Sequence, residues 1–505
     1  MKILKYLSIT IAFATVLQGC ENFIDVEPES NESVSNFYTD YNQVSAALTG
    51  CYNGLQKPMN FEWMLTELRT DNAKQQTPSS TSAANIELND LNMYVPSPSH
   101  AQVYNYWYAV YQNIKNINLV LNALDINYNE GTGATEAGSA SIAIDETKRR
   151  QLAGEAMFLR AYHYFNMVRL FGAVMIMTEP LAPAEVKQIN RSSAEEVYKL
   201  VKADLNAAIS GLSAKKYSEI AAADKGRATI WAAKALLAKV HLTLGDKASA
   251  LTLLNDIKTN SGYSLLTNFS DVFSITNEMN AEILFAIRYK AGGFGIGSPF
   301  ANRFAPLQSG SAVINGDGSG LNYPTNNIDV ALITTDKRKV STISKWTSKF
   351  YVTKFFSPVM NKEDAENDFP VIRYADVLLM LAEAEGYPNG IQYINLIKTR
   401  AGLPAVAATV NNQTLFEAEL LKERRLEFAF ENQRFFDLVR FNALITNMKA
   451  YYASEYSAHY GKYPKPVATL ADLQARLTPE KLLLPIPQRE IDTNNEIEIP
   501  QNAGY

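Results

Sequence analysis

The stretch RRQLAGEAMFLRAYHYFNMVRLFG, residues 149–172, decides the fold. Its apolar residues recur at steps of three and four, and two adjacent rows of them cover more than half of a helix circumference. Other helices must surround such a helix, so we expect Glu155, Arg160 and Arg169 to be partly buried and to need partners. Gly172 is expected to end the helix, because glycine readily adopts the left-handed backbone conformation of a C-terminal cap.

Two later stretches have the spacing of helical hairpins. In residues 225–258 two helices are predicted to meet at Gly245 and Asp246, with alanines at the facing positions that let the backbones approach closely. Residues 375–404 repeat this pattern, with residues 386–390 as the turn. The strict consensus spacing of tetratricopeptide (TPR) repeats is absent, so the sequence predicts TPR-like hairpins and not a regular array.

The composition is that of an ordinary globular protein and excludes several classes of function. The chain has 505 residues, 47% of them hydrophobic, and a net charge of -5. This mild acidity argues against nucleic-acid binding, which needs a basic face. With only Cys20 and Cys51 there is no disulfide framework, and the four histidines fall in no metal-binding spacing. No cofactor and no metal are therefore predicted.

The first 19 residues have the form of a bacterial export signal. A positively charged start precedes the apolar run 6–17, which is shorter than the roughly 20 residues that span a bilayer. The run ends in the residues LQGC, which look like a lipobox with Cys20 as the acylated residue. The alternative is a simple secretory signal with an incidental cysteine. Residues 20–36 are polar and acidic, and are interpreted as a tether.

Between the helical stretches the pattern is irregular. Residues 57–99 lack sustained periodicity, and residues 129–144 are interpreted as a small-residue loop that we expect to be mobile. Residues 282–289 are predicted to form a short strand, and residues 346–356 a pair of strands. The tail, residues 446–505, is punctuated by prolines and expected to be extended.

A glycoside hydrolase is the first enzyme to consider, because such enzymes use a pair of carboxylates. Glu423 with Glu427, or Glu383 with Glu385, could supply an acid and a base. However, the first pair lies one helical turn apart among arginines, which is typical of an ion-pair network. The second pair points to different faces of one helix. With no serine nucleophile motif and no metal cluster, the sequence favours a protein without catalytic residues.

Binding fits the loop-rich segments better. Sugars offer flat C–H faces that stack on aromatic rings, and hydroxyl groups that bond to Arg, Asp and Asn side chains. Residues 61–98 and 291–351 have this composition, although these aromatic residues could equally well only hold the loops on the scaffold. The residues predicted to contact a ligand are Trp63, Arg69, Asp71, Asn72, Phe294, Tyr323 and Trp346.

Several segments resemble signatures of the SusD/RagB family of outer-membrane lipoproteins from Bacteroidetes. The chain departs from the family pattern at residues 173–175, Ala-Val-Met, where many members have a proline. That departure concerns a local turn. The matching segments, in chain order, are residues 20–28, 149–174, 225–245, 369–385, 397–403, 423–440 and 483–491.

The resemblance implies a mostly α fold, in which a TPR-like helical-hairpin scaffold carries a loop-rich irregular part with a few short strands. It also implies a non-catalytic, cell-surface lipoprotein that binds an oligosaccharide and delivers it to a SusC-like TonB-dependent outer-membrane transporter. Peptide capture, as in the RagB branch, is the alternative within the family. The expected boundaries are a signal peptide at 1–19, a tether at 20–36 and one domain at 37–505, with its scaffold at 37–56, 100–260 and 369–445, its ligand-binding part at 57–99 and 282–368, and its tail at 446–505.

Overall fold

A computed structural model describes most of the chain after the predicted tether. The predicted signal peptide, the tether and the lipidation site Cys20 lie outside the described residues. Within the residues that are described, no helix is long and apolar enough to cross a membrane. The described residues are 38–76, 82–139, 142–463, 468–494 and 496–505.

Helices dominate the structure, and the strands are short. The helices are α1 Tyr41–Asn53, α2 Gln56–Thr66, α3 Ala83–Asn92, α4 Ala101–Ala123, α5 Glu146–Phe171, α6 Pro183–Val186, α7 Ala194–Gly211, α8 Ile230–Thr243, α9 Lys247–Asn260, α10 Phe300–Phe304, α11 Asn326–Ala331, α12 Lys339–Thr342, α13 Tyr374–Glu385, α14 Ile391–Arg400, α15 Gln413–Glu427, α16 Arg434–Arg440, α17 Leu444–Glu455, α18 Leu470–Ala475 and α19 Gln488–Thr493.

The strands form five antiparallel pairs: β1 with β7, β2 with β3, β4 with β5, β6 with β10 and β8 with β9. Their bounds are β1 Ala73–Lys74, β2 Ile126–Asn129, β3 Ala134–Ala137, β4 Val174–Met175, β5 Arg191–Ser192, β6 Ile283–Ile287, β7 Tyr323–Pro324, β8 Ile343–Trp346, β9 Lys349–Val352 and β10 Phe369–Arg373.

Helix α5 is the central helix that the sequence predicts. Residues 152–168 are all buried, and the helix packs against α1, α4 and α7. Its charged side chains have the partners they were expected to need. Arg160 is fully buried and makes two 2.8 Å bonds to the carboxylate of Asp204 on α7. Glu155 is paired with Arg227 at 2.9 Å. Gly172 caps the helix with φ +71°.

Both predicted helical hairpins are present, and they stack on one another. The first is formed by α8 and α9, where Gly245 has φ +80° and the Asp246 side chain caps the second helix. The second is formed by α13 and α14. Because α9 packs against α13, the hairpins bury their apolar faces together. One contiguous set of buried apolar side chains extends from Val44 to Ile499, which confirms the mostly helical, TPR-like fold.

Three segments differ from the sequence prediction. Residues 57–99, predicted to be loop-rich, contain most of α2 and all of α3. Helix α2 is buried on nearly all sides, polar Glu62 and Thr66 included, so no solvent-facing stripe marks it in the sequence. The predicted loop at 129–144 includes strand β3, which pairs with β2. The tail contains short helices besides extended chain, because its apolar side chains also reach the core.

Candidate functional site

The strand pair β8–β9 projects from the loop-rich part and forms the centre of the candidate site. Its register places Ile343 opposite Val352 and Trp346 opposite Lys349. Ile343 and Val352 are buried, whereas Trp346 and Lys349 near the turn are half-buried. The hairpin is therefore anchored at its base and accessible at its tip. We call the exposed parts of Leu307, Tyr323, Trp346, Lys349 and Phe350 the hairpin surface.

Tyr323 on β7 is fixed against this hairpin through its hydroxyl group. The hydroxyl oxygen accepts a 2.9 Å bond from the backbone N–H of Phe350 and lies 3.4 Å from the carbonyl oxygen of Ser348. The rings of Tyr323 and Phe350 meet edge to face, with centroids 6.4 Å apart. Burial raises the pKa of the phenol, so the hydroxyl stays protonated and keeps its position.

Lys349 joins Trp346 to the neighbouring loop. Its ammonium group lies 5.5 Å from the centroid of the Trp346 ring and donates a 2.7 Å bond to the carbonyl oxygen of Leu307. The attraction between the cation and the ring face limits the motion of the indole. Leu307 itself is 38% exposed. The surface thus combines aromatic rings, an aliphatic side chain and a hydrogen-bond donor.

A buried base supports this surface from below. Strand β1 pairs with β7, with Lys74 opposite Tyr323. The residue before this strand, Asn72, accepts a 2.8 Å bond from Arg425. Asp71 is bonded to Arg434 at 2.9 and 3.0 Å and paired with Arg425 at 3.2 Å. Burial alone would raise the pKa of Asp71, but these two guanidinium groups hold it well below its usual range.

Arg69 and Trp63, also predicted to contact a ligand, lie in the interior. Arg69 donates to the carbonyl oxygens of Lys481 and Leu482 at 2.7 and 2.9 Å, and its guanidinium group covers the ring of Phe435. Trp63 is fully buried and packs edge to face against Phe304.

The prediction of ligand contact is therefore corrected for four residues. These residues are at most 4% exposed, and most of their polar side-chain atoms bond to other parts of the protein. No ligand reaches them without a rearrangement of the core. They are Trp63, Arg69, Asp71 and Asn72.

Buried ion pairs tie both ends of the β8–β9 segment to the helical scaffold. Before the hairpin, fully buried Arg338 bonds to Glu423 at 2.6 Å and lies 3.2 Å from Glu427. After it, buried Lys354 bonds to Glu431 at 2.6 Å and to the carbonyl oxygen of Glu427 at 2.9 Å. Helix α15 and the residues just after it thus fix the position of the hairpin.

The same glutamates were candidates for catalysis, and the structure assigns them another role. Glu427 is fully buried and contacts Arg373, Arg400 and Arg338. Burial would raise its pKa, but the three guanidinium groups overcome that effect and hold the pKa far below its usual range. A carboxylate in this state cannot donate a proton near neutral pH.

The second carboxylate pair is also engaged within the protein. Glu383 forms an ion pair with Arg440, and Glu385 accepts a 2.8 Å bond from the hydroxyl group of Tyr393. Because Glu423, Glu427 and Glu383 are buried, neither pair is accessible to a glycosidic bond that would have to lie between an acid and a base. Among the described residues, no group of histidine, cysteine and acidic side chains could hold a metal ion.

Phe294 lies on a separate glycine-rich turn. Its ring is 72% exposed. The backbone N–H groups of Gly292 and Gly293 donate to the carboxylate of Asp364 at 3.1 and 2.8 Å, which fixes the turn. Both glycines have positive φ, a conformation that other residues rarely adopt. Phe294 is thus accessible but is not held by the contacts that join Tyr323 to the hairpin.

The sequence prediction omitted Lys349 and Leu307. Lys349 could have been found from the strand pattern, since a two-residue turn at 347–348 places it opposite Trp346. Leu307 joins the surface only through its carbonyl oxygen and its position in a loop, for which the sequence gives no signal.

Comparison with known proteins gives the same fold. A model described as "SusD family" matches residues 300–505, and a model described as "Starch-binding associating with outer membrane" matches residues 22–242. The chain is similar to SusD-like protein P25 of Formosa agariphila, with 27% identity over 85% of this chain and 88% of that protein.

Two further proteins extend this comparison. The starch-binding protein SusD of Bacteroides thetaiotaomicron is 25% identical over 71% of this chain and 73% of its own length. A solved laminarin-binding SusD-like protein superposes with a TM-score of 0.74 at 23% identity, covering 93% of this chain and 100% of that one. The architecture is that of the SusD-like class of proteins. The two model matches lie in separate parts of the chain and together cover most of it, and the chain belongs to the SusD/RagB family.

Proposed function

We propose that the protein binds an oligosaccharide at the hairpin surface and acts without catalysis. The observation that carries this proposal is the partly exposed aromatic tip of the β8–β9 hairpin, which is held in place from three sides. Tyr323 bonds to its backbone, Lys349 joins it to a neighbouring loop, and buried ion pairs fix both of its ends. Rings held in this way lose little conformational entropy when a ligand binds.

The chemistry of the surface suits a sugar. A pyranose ring can place its C–H face on the exposed part of the Trp346 indole, while Lys349 offers a charged donor to its hydroxyl groups. The related proteins support this choice, since one is named for starch binding and another for laminarin binding. Phe294, exposed on its own turn, is kept as a further candidate contact.

The proposal extends to the cellular role. Acylation of Cys20 would anchor the protein in the outer membrane, and residues 20–36 would hold the domain above the cell surface. Several buried acyl chains, at about 0.8 kcal/mol per CH₂, are enough for stable anchoring. The bound glycan would then pass to a SusC-like TonB-dependent transporter. The family and the outer-membrane description of one matching model support this arrangement.

An array of immobilised oligosaccharides and peptides tests the binding proposal. We expect the wild-type chain to bind a group of related oligosaccharides and no peptides, and Trp346→Ala to weaken that binding roughly tenfold. Trp346→Phe is the matched control, because it keeps a ring at the same position. Binding to peptides alone would favour the RagB-like alternative, whereas shortening of bound oligosaccharides over time would identify a glycoside hydrolase.

Fractionation of cells tests the anchor and the partner. The wild-type protein is expected in the outer-membrane fraction and, after mild detergent extraction, together with a TonB-dependent transporter. Cys20→Ala should move the protein to the soluble fraction while its glycan binding stays unchanged. A Cys20→Ala protein that remains on membranes would contradict lipid anchoring.

A further inference from the structure

A groove lies along helix α4, and its lining includes no residue of the hairpin surface. Its volume is about 460 Å³, within the usual range for ligand sites. The floor contains Trp107 and Tyr111 of α4 and residues 175–177. One wall is the segment around α6, and the other is the C-terminal helix α19.

Two tyrosines of α4 form a stacked aromatic pair, here called the plate, at the edge of this groove. Tyr104 and Tyr108 lie one helical turn apart, with ring centroids 5.9 Å apart and planes at 28°. Tyr108 is 42% exposed. Arg489 lies over the Tyr104 ring at 5.1 Å, and Lys57 over the Tyr108 ring at 5.5 Å. These cations help to hold the rings, and Arg489 also brings hydrogen-bond donors to the groove.

Polar groups of both signs surround the plate. Glu490 is half-buried in the wall, where burial raises its pKa while the charge of Arg489 and, less strongly, the Trp107 indole oppose that change. Gln112 and Lys115 are exposed on the same face of α4. Because acidic and basic side chains occur together, the groove has no single-sign field that would select a strongly charged ligand.

Several backbone groups on the floor of the groove are already bonded within the protein and are not free to bind a peptide. Tyr111 donates a 2.8 Å bond to the carbonyl oxygen of Met175. The N–H group of Met177 donates to the hydroxyl of Tyr164 at 2.7 Å, and the Met177 carbonyl oxygen accepts from Asn118 at 2.9 Å. A peptide that binds as an added strand needs such groups unpaired.

We infer that this groove is a second carbohydrate site, which takes an uncharged oligosaccharide with one sugar ring on the Tyr104–Tyr108 plate. Glu490, Gln112 and Arg489 are placed to bond to its hydroxyl groups. The inference rests on the proposed function, since it assumes the same class of ligand. The two sites share no residue, so each can be removed without the other.

Calorimetric titration of the full chain with the hexasaccharide that binds best on the array tests this inference. The wild type is expected to bind two equivalents. Tyr108→Ala removes the plate and should weaken the groove site at least roughly tenfold, leaving one equivalent, whereas Tyr108→Phe keeps both. Trp346→Ala should likewise weaken the hairpin site roughly tenfold and leave one equivalent at the original affinity, and the double variant should retain no equivalent at that affinity.

The remaining outcomes separate the two sites. One equivalent in the wild type, abolished by Trp346→Ala and unaffected by Tyr108→Ala, would overturn the groove site and leave the hairpin surface intact. Loss of all binding in Tyr108→Ala alone would overturn the hairpin surface and keep the groove. If the wild type binds none of the oligosaccharides on the array, both the groove site and the hairpin surface are overturned.

Discussion

Charged side chains have opposite roles in the helical scaffold and at the hairpin surface. In the scaffold, Arg160, Arg373 and Glu427 are buried and satisfied by opposite charges. At the hairpin surface Lys349 is only half-buried and lies between a carbonyl oxygen and an aromatic ring, with space around it. The buried arginines and glutamates therefore stabilise the fold, whereas the partly exposed rings form the proposed ligand face. Substitutions in the two regions should therefore have opposite effects on stability and binding.

The largest effect is expected for Glu427→Gln. This change leaves three buried guanidinium groups short of a counter-charge, and breaking a buried ion pair lowers the free energy of unfolding by about 3 to 5 kcal/mol. Urea denaturation measures the change. Glu195→Gln is the control, because Glu195 forms only an exposed pair with Lys199 and should change stability by less than about 0.5 kcal/mol. Equal effects of the two substitutions would contradict the structural role of the buried network.

Asp71→Asn should have a somewhat smaller effect, about 3 kcal/mol, because Arg434 and Arg425 lose their shared carboxylate. This variant should also bind glycan more weakly, since strand β1 supports Tyr323. Urea denaturation and array binding of the same preparation measure both effects. A loss of affinity without any loss of stability would mean that Asp71 contacts the ligand directly.

The pH dependence of the free energy of unfolding should reveal a buried carboxylate whose pKa is raised, in contrast to Glu427 and Asp71, whose pKa values are lowered. Burial raises the pKa of Glu62 from 4.5 to about 7, so folding favours its protonated form. Its contribution to stability is then fully present below pH 4.5 and is lost as the pH rises through 7. Between pH 5 and 8 the stability of Glu62→Gln relative to wild type should rise by roughly 1 to 3 kcal/mol. Urea denaturation at each pH measures it, and a pH-independent difference would contradict the raised pKa.

Trp346→Ala should lower glycan affinity with little loss of stability, whereas the scaffold variants mainly lose stability. Because the indole is partly exposed at a hairpin tip, the free energy of unfolding should change by less than about 1 kcal/mol while glycan affinity falls roughly tenfold. Trp346→Phe should recover part of the affinity. A destabilised Trp346→Ala protein that binds normally would show that the ring serves only to hold the hairpin.

Phe294→Ala should have the smallest effect on stability, below about 0.5 kcal/mol, because 72% of the side chain is already exposed. Its effect on affinity decides whether the glycine-rich turn belongs to the binding surface. Array binding compared with wild type measures this. Unchanged affinity would confine the site to the hairpin surface.

The helical scaffold was predictable because the apolar spacing and the glycine positions that specify it lie within short stretches of the sequence. Alanine-rich helices with a glycine between them predict the α8–α9 hairpin directly, and the dense apolar rows of residues 149–172 predict a surrounded helix. Helix α2 was not predicted because polar Glu62 and Thr66 are buried together with its apolar residues, so its pattern lacks a continuous solvent face.

The site was only partly predictable, because composition does not tell a buried polar cluster from an exposed one. Asp71 and its partner Arg434 are 363 residues apart in the chain, so no residue near Asp71 in the sequence shows that its charge is neutralised by an ion pair. Trp63 packs against Phe304 in the same long-range manner. Trp346 and Tyr323 were predicted from the aromatic and polar composition of residues 291–351, and their contact with a ligand stays a prediction. How the two rings are joined through Phe350 depends on strand register and became visible only in the structure.

Hydrogen exchange measured with and without a saturating oligosaccharide tests the central claim most directly, namely that a rigid helical scaffold presents a ligand face at the β8–β9 hairpin. Ligand should slow exchange in residues 343–352 and 321–324 and leave α5, α8 and α13 unchanged, because these buried helices are expected to exchange slowly without ligand. Unchanged exchange in the hairpin with full ligand occupancy, or protection confined to the three helices, would contradict the account.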